Sequence, residues 1–131
     1  MTMSTLPQPI VSSAMPKALG PYSHGVRVGD LLFISGQGGF DPATGSVSED
    51  FATQARQAFK NLSTVLEAAG SNLEHVAKTT IFLTNAAEFP KLNELYGEFF
   101  PQNPPARSVP VVQLPRNLLI SIECIAAVGT D

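Results

Sequence analysis

The segment Leu118–Val128 reads LLISIECIAAV, and its alternation decides the fold class. In an extended strand successive side chains point to opposite faces. Ile120, Ile122, Cys124, Ala126 and Val128 therefore share one face, and all of them are apolar. Leu119, Ser121, Glu123, Ile125 and Ala127 share the other, which mixes apolar side chains with a hydroxyl and a carboxyl. The first face is core. The second needs another explanation, and the elements upstream supply it.

Just before this strand, ARSVPVVQL (Ala106–Leu114) reads as a further strand that follows the proline-rich stop PQNPP. A helix is expected from Ala86 or Ala87 to Phe99, capped by Asn85, with Phe89, Leu92, Leu95, Tyr96 and Phe99 as its buried stripe and Pro90 in its first turn. Val76 to Thr84 is a strand rich in β-branched residues, with Thr79, Ile81 and Leu83 on one parity and Lys78, Thr80 and Phe82 on the other. From Phe51 to Ala69 apolar residues recur at three-to-four spacing, which predicts an amphipathic helix with Asp50 as N-cap and Gly70 as its left-handed stop. His24 to Ser35 reads as a hairpin about Gly29-Asp30, and Asp41 to Gly45 as a turn. Residues 1–16, interrupted by Pro7, Pro9 and Pro16, are expected to be extended, with a short edge strand at Ile10 and Val11.

Hairpin, helix, strand, helix and two strands make an α+β layer: one domain over residues 1–131, a mixed sheet with two helices. Two helices cover only one face of such a sheet. Phe33 or Ile34, with Phe82, Leu119 and Ile125, would then leave an apolar patch on the open side, which argues for self-association.

Composition narrows the function classes. The 131 residues are 44% hydrophobic and 15% charged, with a net charge of −3 and no long run of like charge. That balance disfavours a dedicated nucleic-acid binder. No apolar run is long enough for a membrane span, and the first residues lack the basic and apolar regions of a secretory signal, so a cytoplasmic setting is expected. One cysteine, Cys124, cannot form an internal disulfide, and with His24 and His75 it makes no metal-ligand cluster by spacing. The alternation places Cys124 in the core; His24 reads as a solvated strand-end residue near the Tyr22-Ser23 element, and His75 as exposed.

The phosphate-loop, dinucleotide-binding, nucleophile-elbow and zinc-helix motifs are absent. Polar residues at strand ends remain: Tyr22, Ser23, Ser35, Asn93, Arg107 and Glu123. Arg107 ranks first because Pro104-Pro105-Ala106 stiffens its approach and its fork matches a carboxylate bidentately. An ordinary surface or inter-subunit salt bridge is the competing reading.

These residues carry a resemblance. GPYS (20–23), ISGQ (34–37), DPATG (41–45), EAAG (67–70), KTT (78–80), PARS (105–108) and LP (114–115) occur in the order found in the RidA, or YjgF, family of reactive intermediate imine deaminases, which the chain resembles over nearly its whole length. The resemblance implies a chorismate-mutase-like fold of about six strands with two helices on one face. It also implies a homotrimer with inter-subunit clefts for small carboxylates, and hydrolysis of enamines and imines such as 2-aminoacrylate to 2-keto acids and ammonia without a cofactor or metal. It makes Arg107 the carboxylate clamp and sets Tyr22, Ser35, Gly36, Asn93 and Val109 along the cleft. Tyr22 has a simpler reading as a core-edge aromatic, Ser35 as a hydroxyl satisfying backbone, and Asn93 as an exposed helix residue.

The departures define the open question. Ser121 stands where the family has its water-activating glutamate, and Glu123 falls two residues later on the same face. A serine without a general base accepts protons poorly but still orients a water. Val109 replaces a frequent cysteine, and Arg107 to Pro115 is one residue short, which unsettles strand register. Gly38-Gly39 replaces a bulky aliphatic and a proline, and is expected to widen that wall of the cleft. The expected catalytic set is Arg107, Ser121 and Glu123. A non-catalytic 2-keto acid binding module is the alternative, and an endoribonuclease or translation inhibitor is third.

Overall fold

A computed structural model describes residues 6–129. The last strand of the sequence, β6 (Ile120–Ala127), lies inside the sheet rather than at its edge. Before it come β1 (Gln8–Pro9), β2 (Gly25–Val28), β3 (Leu31–Gly38), α1 (Phe51–Ala68), β4 (Val76–Leu83), α2 (Phe89–Phe99) and β5 (Ala106–Ser108). The sheet order is β1-β2-β3-β6-β4-β5, antiparallel throughout except for the parallel β4–β5 pair. This is the expected α+β architecture of six strands and two helices. Among the described residues no helix is long and apolar enough to cross a membrane.

Local chemistry explains the element ends. Gly29 adopts φ 58° in the β2–β3 turn. Asp50 caps α1 by accepting from the Thr53 backbone N–H at 3.0 Å and its hydroxyl at 2.7 Å. At the other end Gly70 turns left-handed at φ 84° while Ser71 N–H donates to the Leu66 carbonyl at 2.8 Å, a Schellman stop.

Three boundaries differ from the sequence reading, and proline explains two of them. Asn85 caps a 3-10 turn over Ala86–Glu88, and α2 begins only at Phe89. An α-helix entered at Ala86 would need an N–H from Pro90, which has none, so Pro90 falls in the first turn of a later helix. The strand expected over Ala106–Leu114 is confined to Ala106–Ser108 plus one bridge, Leu83 to Val111, because Pro110 cannot donate to the ladder. The edge strand lies at Gln8–Pro9 rather than at Ile10 and Val11, although Ile10 N–H still donates to the Gly25 carbonyl at 2.9 Å. The first five and last two residues of the expected domain lie outside those described.

The helices bury one face of the sheet. Ile120, Ile122, Cys124 and Ala126 pack with Leu32, Ile34, Ile81 and Leu83 against Phe59, Leu62, Leu66, Leu92 and Leu95. Ile34 belongs to this core, so Phe33 is the residue turned to the open side, 42% exposed, with half-buried Phe82 and Ile125 on its parity, whereas Leu119, expected there too, packs against the core beside the start of α1. A polar strut crosses the core: buried Gln54 donates to the Ser48 carbonyl at 2.8 Å and accepts from Leu119 N–H at 2.7 Å. Of the two glycines expected to widen the cleft, Gly38 lines a surface cavity and Gly39 is closed off by α1. A Cβ on Gly38 would lie 2.7 Å from Leu118 Cδ2, and one on Gly39 would overlap the Gln54 carbonyl oxygen, so both glycines permit close packing. Gly39→Ala is expected to destabilise the fold by about 1–3 kcal/mol, the usual cost of overpacking a closed site. Urea unfolding measures it, and an unchanged midpoint would mean that α1 yields freely there.

Candidate functional site

The first group of expected site residues is arranged by an irregularity in β3. Its ladder with β6 pairs Ile34 with Cys124 and resumes at Gln37 with Ile122, so Ser35 and Gly36 together oppose Glu123. Such a bulge bends the strand and re-aims its side chains. A Cβ on Gly36 would stand 2.7 Å from Ser121 Oγ, so the glycine leaves room for that hydroxyl. Ser35 Oγ donates to the Ser23 carbonyl at 2.6 Å, which fulfils the simpler reading of this serine and ties the bulge to the GPYS segment.

Tyr22 and His24 flank the bulge, their rings edge to face with centroids 5.8 Å apart. Gln37 Nε2 donates to the Ser35 carbonyl at 3.0 Å and lies 3.2 Å from His24 Nδ1. An amide nitrogen only donates, so in this contact Nδ1 accepts and Nε2 is the ring's other polar atom. That Nε2 is buried without a hydrogen-bond partner, so His24 is not the solvated residue expected. A cavity of about 440 Å³ opens here, lined by Tyr22, His24, Gly36 and Gln37, with Leu19 and Phe40 as apolar wall.

Glu123 lies on the open face in a cross-strand row with Thr80 and Ser108. Lys78 Nζ donates to the hydroxyls of Thr80 at 3.2 Å and Ser108 at 3.3 Å, and the Glu123 carboxylate is exposed. Ser121 and Glu123 share that face, about 7 Å apart along the strand.

Arg107 belongs to a second group. In the parallel β4–β5 register it sits beside Thr79, whose side chain is fully buried toward α2. Its Nη1 donates to Asn93 Oδ1 at 2.9 Å, and its Cζ lies 4.8 Å from the Tyr96 ring centroid and 5.4 Å from that of Phe89. Tyr96 is itself tied by its hydroxyl to Thr79 Oγ1 at 2.8 Å. Burial first, eased by the Thr79 hydrogen bond, raises the Tyr96 phenol above its usual range, so it stays protonated. Among the described residues Arg107 is held by Asn93 and two aromatic rings rather than by a carboxylate. Val109, just beyond β5, packs partly buried on the core.

Within one chain the two groups do not meet. β5 is an edge strand, separated from β3 by β4 and β6, a distance of about 14 Å at ordinary strand spacing. Arg107 faces the helices while Ser121 and Glu123 face the open side. The structure therefore brings Tyr22, Ser35, Gly36 and Ser121 together, and Asn93 with Arg107, but not the two sets with each other.

Sequence reasoning missed Thr79 and Tyr96 as the mount of Arg107, because Tyr96 reads as an ordinary member of a buried stripe. A threonine on the core parity of β4, beside Ile81 and Leu83, was the available signal. His75, expected to be exposed, is half-buried; its Nδ1 has no hydrogen-bond partner, and a Cβ on Gly129 would lie 2.7 Å from it. Cys124 is core as expected, 4% exposed.

The architecture is that of a known class. The YjgF gene product of E. coli superposes with a TM-score of 0.86 at 39% identity, covering 92% of this chain and 98% of that one. RidA from an Antarctic Psychrobacter gives 0.87 at 40% identity, covering 92% and 98%. The family profile described as endoribonuclease L-PSP matches residues 12–128. A human protein named 2-iminobutanoate/2-iminopropanoate deaminase is 42% identical over 130 residues, 97% of this chain and 95% of its own length. A Salmonella typhimurium protein of the same name is 41% identical, covering 89% and 94%. The chain belongs to this family, the endoribonuclease L-PSP or RidA/YjgF family.

Burial, with a smaller push from Glu123, drives the Cys124 thiol up to about 12. Thiol reagents at pH 8 are therefore expected to modify Cys124 only as fast as the protein unfolds. The stabilisation from keeping this thiol neutral is complete below pH 9 and is lost as pH rises toward 12. Stoichiometric labelling of the native protein within minutes would contradict this burial.

Proposed function

We propose that the chain is an imine and enamine deaminase whose site is completed between copies of a homotrimer. One copy supplies Tyr22, Ser35, Gly36 and Ser121, and its neighbour supplies Asn93, Arg107 and Val109. The observation that carries this reading is the division of the site residues into two groups on opposite faces of one sheet. Arg107 commits one N–H to Asn93 and keeps the rest of its fork for a ligand carboxylate. The open apolar face around Phe33 supplies the surface for assembly. Relatives of this chain carry imine deaminase names, which supports the reaction class.

In the proposed reaction Arg107 holds the carboxylate of a 2-imino acid, formed directly or by protonation of an enamine at its β-carbon. A water hydrogen-bonded to Ser121 Oγ adds to C2, and the C=N electron pair moves to nitrogen. Proton transfer from the added water to nitrogen makes ammonia the leaving group; the C–N bond breaks, and the carbinol oxygen becomes the keto oxygen. Serine orients the water but is no base at neutral pH, so Glu123 on the same face is the group assigned to accept the water proton and pass it on. The setting proposed for this work is the cytoplasm.

A second reading, a carboxylate-binding module without turnover, is favoured by Ser121 standing at the family glutamate position. The family description as endoribonuclease gains no support from a chain of net charge −3.

Generating 2-aminoacrylate with a dehydratase and following keto-acid release separates these readings. Deamination predicts wild-type activity above buffer and a loss of about 10²–10⁴-fold in Glu123→Gln with unchanged folding. Buffer-level wild type, with activity gained in Ser121→Glu, would establish the binding module. Arg107→Lys is expected to weaken 2-oxobutyrate binding by about 1.5–3 kcal/mol, one charge-assisted hydrogen bond, as read by calorimetry. Light scattering should report a threefold mass. Co-refolding Arg107→Ala with Gly36→Val should restore activity above either parent, because mixed trimers contain one cleft with both halves intact. Recovery no better than the parents would show that the two groups do not share a cleft.

A further inference from the structure

The Arg107 fork is useful only if its plane is held, and two of the residues that hold it, Tyr96 and Thr79, take no part in the proposed reaction. Tyr96 is 7% exposed and presents its ring face 4.8 Å from Arg107 Cζ. Its hydroxyl is pinned to Thr79 Oγ1 at 2.8 Å, and Thr79 is the residue beside Arg107 in the β4–β5 register. The tether therefore closes a ring of contacts: backbone register fixes Arg107 to Thr79, Thr79 fixes Tyr96, and the Tyr96 ring supports the guanidinium. Phe59 locks Tyr96 from beneath, its ring centroid 6.0 Å away and tilted 72°. Phe100 packs at 4.7 Å. Asn93, one helical turn before Tyr96 on α2, sets the remaining rotation through its 2.9 Å hydrogen bond to Nη1.

We propose that Tyr96, tethered by Thr79, is a positioning residue that fixes the plane of the Arg107 guanidinium for bidentate capture of a planar 2-imino or 2-oxo acid. The proposal rests on Arg107 being the carboxylate clamp. A freely rotating arginine must lose rotamer freedom on binding, whereas a face-supported one presents its fork already oriented. The ring face, not the hydroxyl, contacts the cation. The hydroxyl acts only through the ring's placement, so the two parts of Tyr96 are separable by substitution.

Tyr96→Phe and Tyr96→Leu both lose the Thr79 hydrogen bond, but only the first keeps an aromatic face. The expected result is that Tyr96→Phe, whose ring Phe59 and Phe100 still hold without the Thr79 tether, binds 2-oxobutyrate within about threefold of wild type, while Tyr96→Leu binds it at least tenfold more weakly, an order-of-magnitude expectation for loss of a partly desolvated cation–π contact. In turnover the leucine variant should raise KM with little change in kcat. Thermal unfolding of each variant gives its stability, and affinities are compared at temperatures where each is fully folded. In an Arg107→Ala background Tyr96→Leu should cause no further loss, because its effect runs through the arginine. Equal affinities for the phenylalanine and leucine variants, or an undiminished leucine effect without Arg107, would overturn the positioning role while leaving the clamp intact. Unchanged affinity in Arg107→Ala itself would overturn the clamp and, with it, this inference.

Discussion

Everything in this fold depends on the one-sided burial of β6. It pairs with β3 on one side and β4 on the other, so its period-two alternation sets the facing of the whole sheet. Ile120, Ile122, Cys124 and Ala126 go to the helices, and among the described residues there is no further element to cover Ser121, Glu123 and Ile125. A one-residue slip would exchange these sets and place a carboxylate in the core, where desolvation strongly opposes its charged form. Register is therefore fixed by a large energetic difference. The same constraint delivers Ser121 and Glu123 to the face available to ligands and partners.

Two local devices turn that sheet into a site. The bulge at Ser35-Gly36 places two β3 residues against Glu123, leaves room for the Ser121 hydroxyl and carries the backbone toward Tyr22 and His24. At the opposite edge the parallel β4–β5 pairing sets Arg107 over α2, where aromatic rings and Asn93 hold it. Pro110 ends β5 soon after Ser108, and because β5 is the edge strand Arg107 lies at a sheet edge. One device makes a concave, hydroxyl-bearing wall and the other a rigid cationic fork. Their separation within a chain is the reason the proposed site is completed between copies.

In the proposed site a family pattern is retained in sequence while one polar group differs, Ser121 standing in place of a glutamate. The Arg107 block and the Gly36 bulge are kept, and the side chain beside Gly36 is a hydroxyl. Imine hydrolysis tolerates such a change better than many reactions, because the substrate is activated already and positioning supplies much of what is needed. Gly39 shows the opposite case: a departure that reads as a functional change and proves to be packing, with α1 drawn against the β3 exit.

The sequence by itself determined the element order, the parity of β4 and β6, the caps at Asp50 and Gly70 and the open apolar face, because these follow from local periodicity and backbone chemistry. It also singled out Arg107, since a proline-stiffened arginine is conspicuous without any structure. Proline positions carried more than their reading: Pro90 and Pro110 moved two boundaries through missing N–H groups, an effect fixed once the neighbouring ladder is known. Only the tertiary structure decided that Ser35 and Gly36 share a bulge and that His24 points inward to Gln37. It alone showed Thr79 and Tyr96 supporting Arg107, and Arg107 and Ser121 on opposite faces of the sheet. Those facts depend on strand order and on contacts between residues far apart in the chain, which periodicity within a single element does not encode.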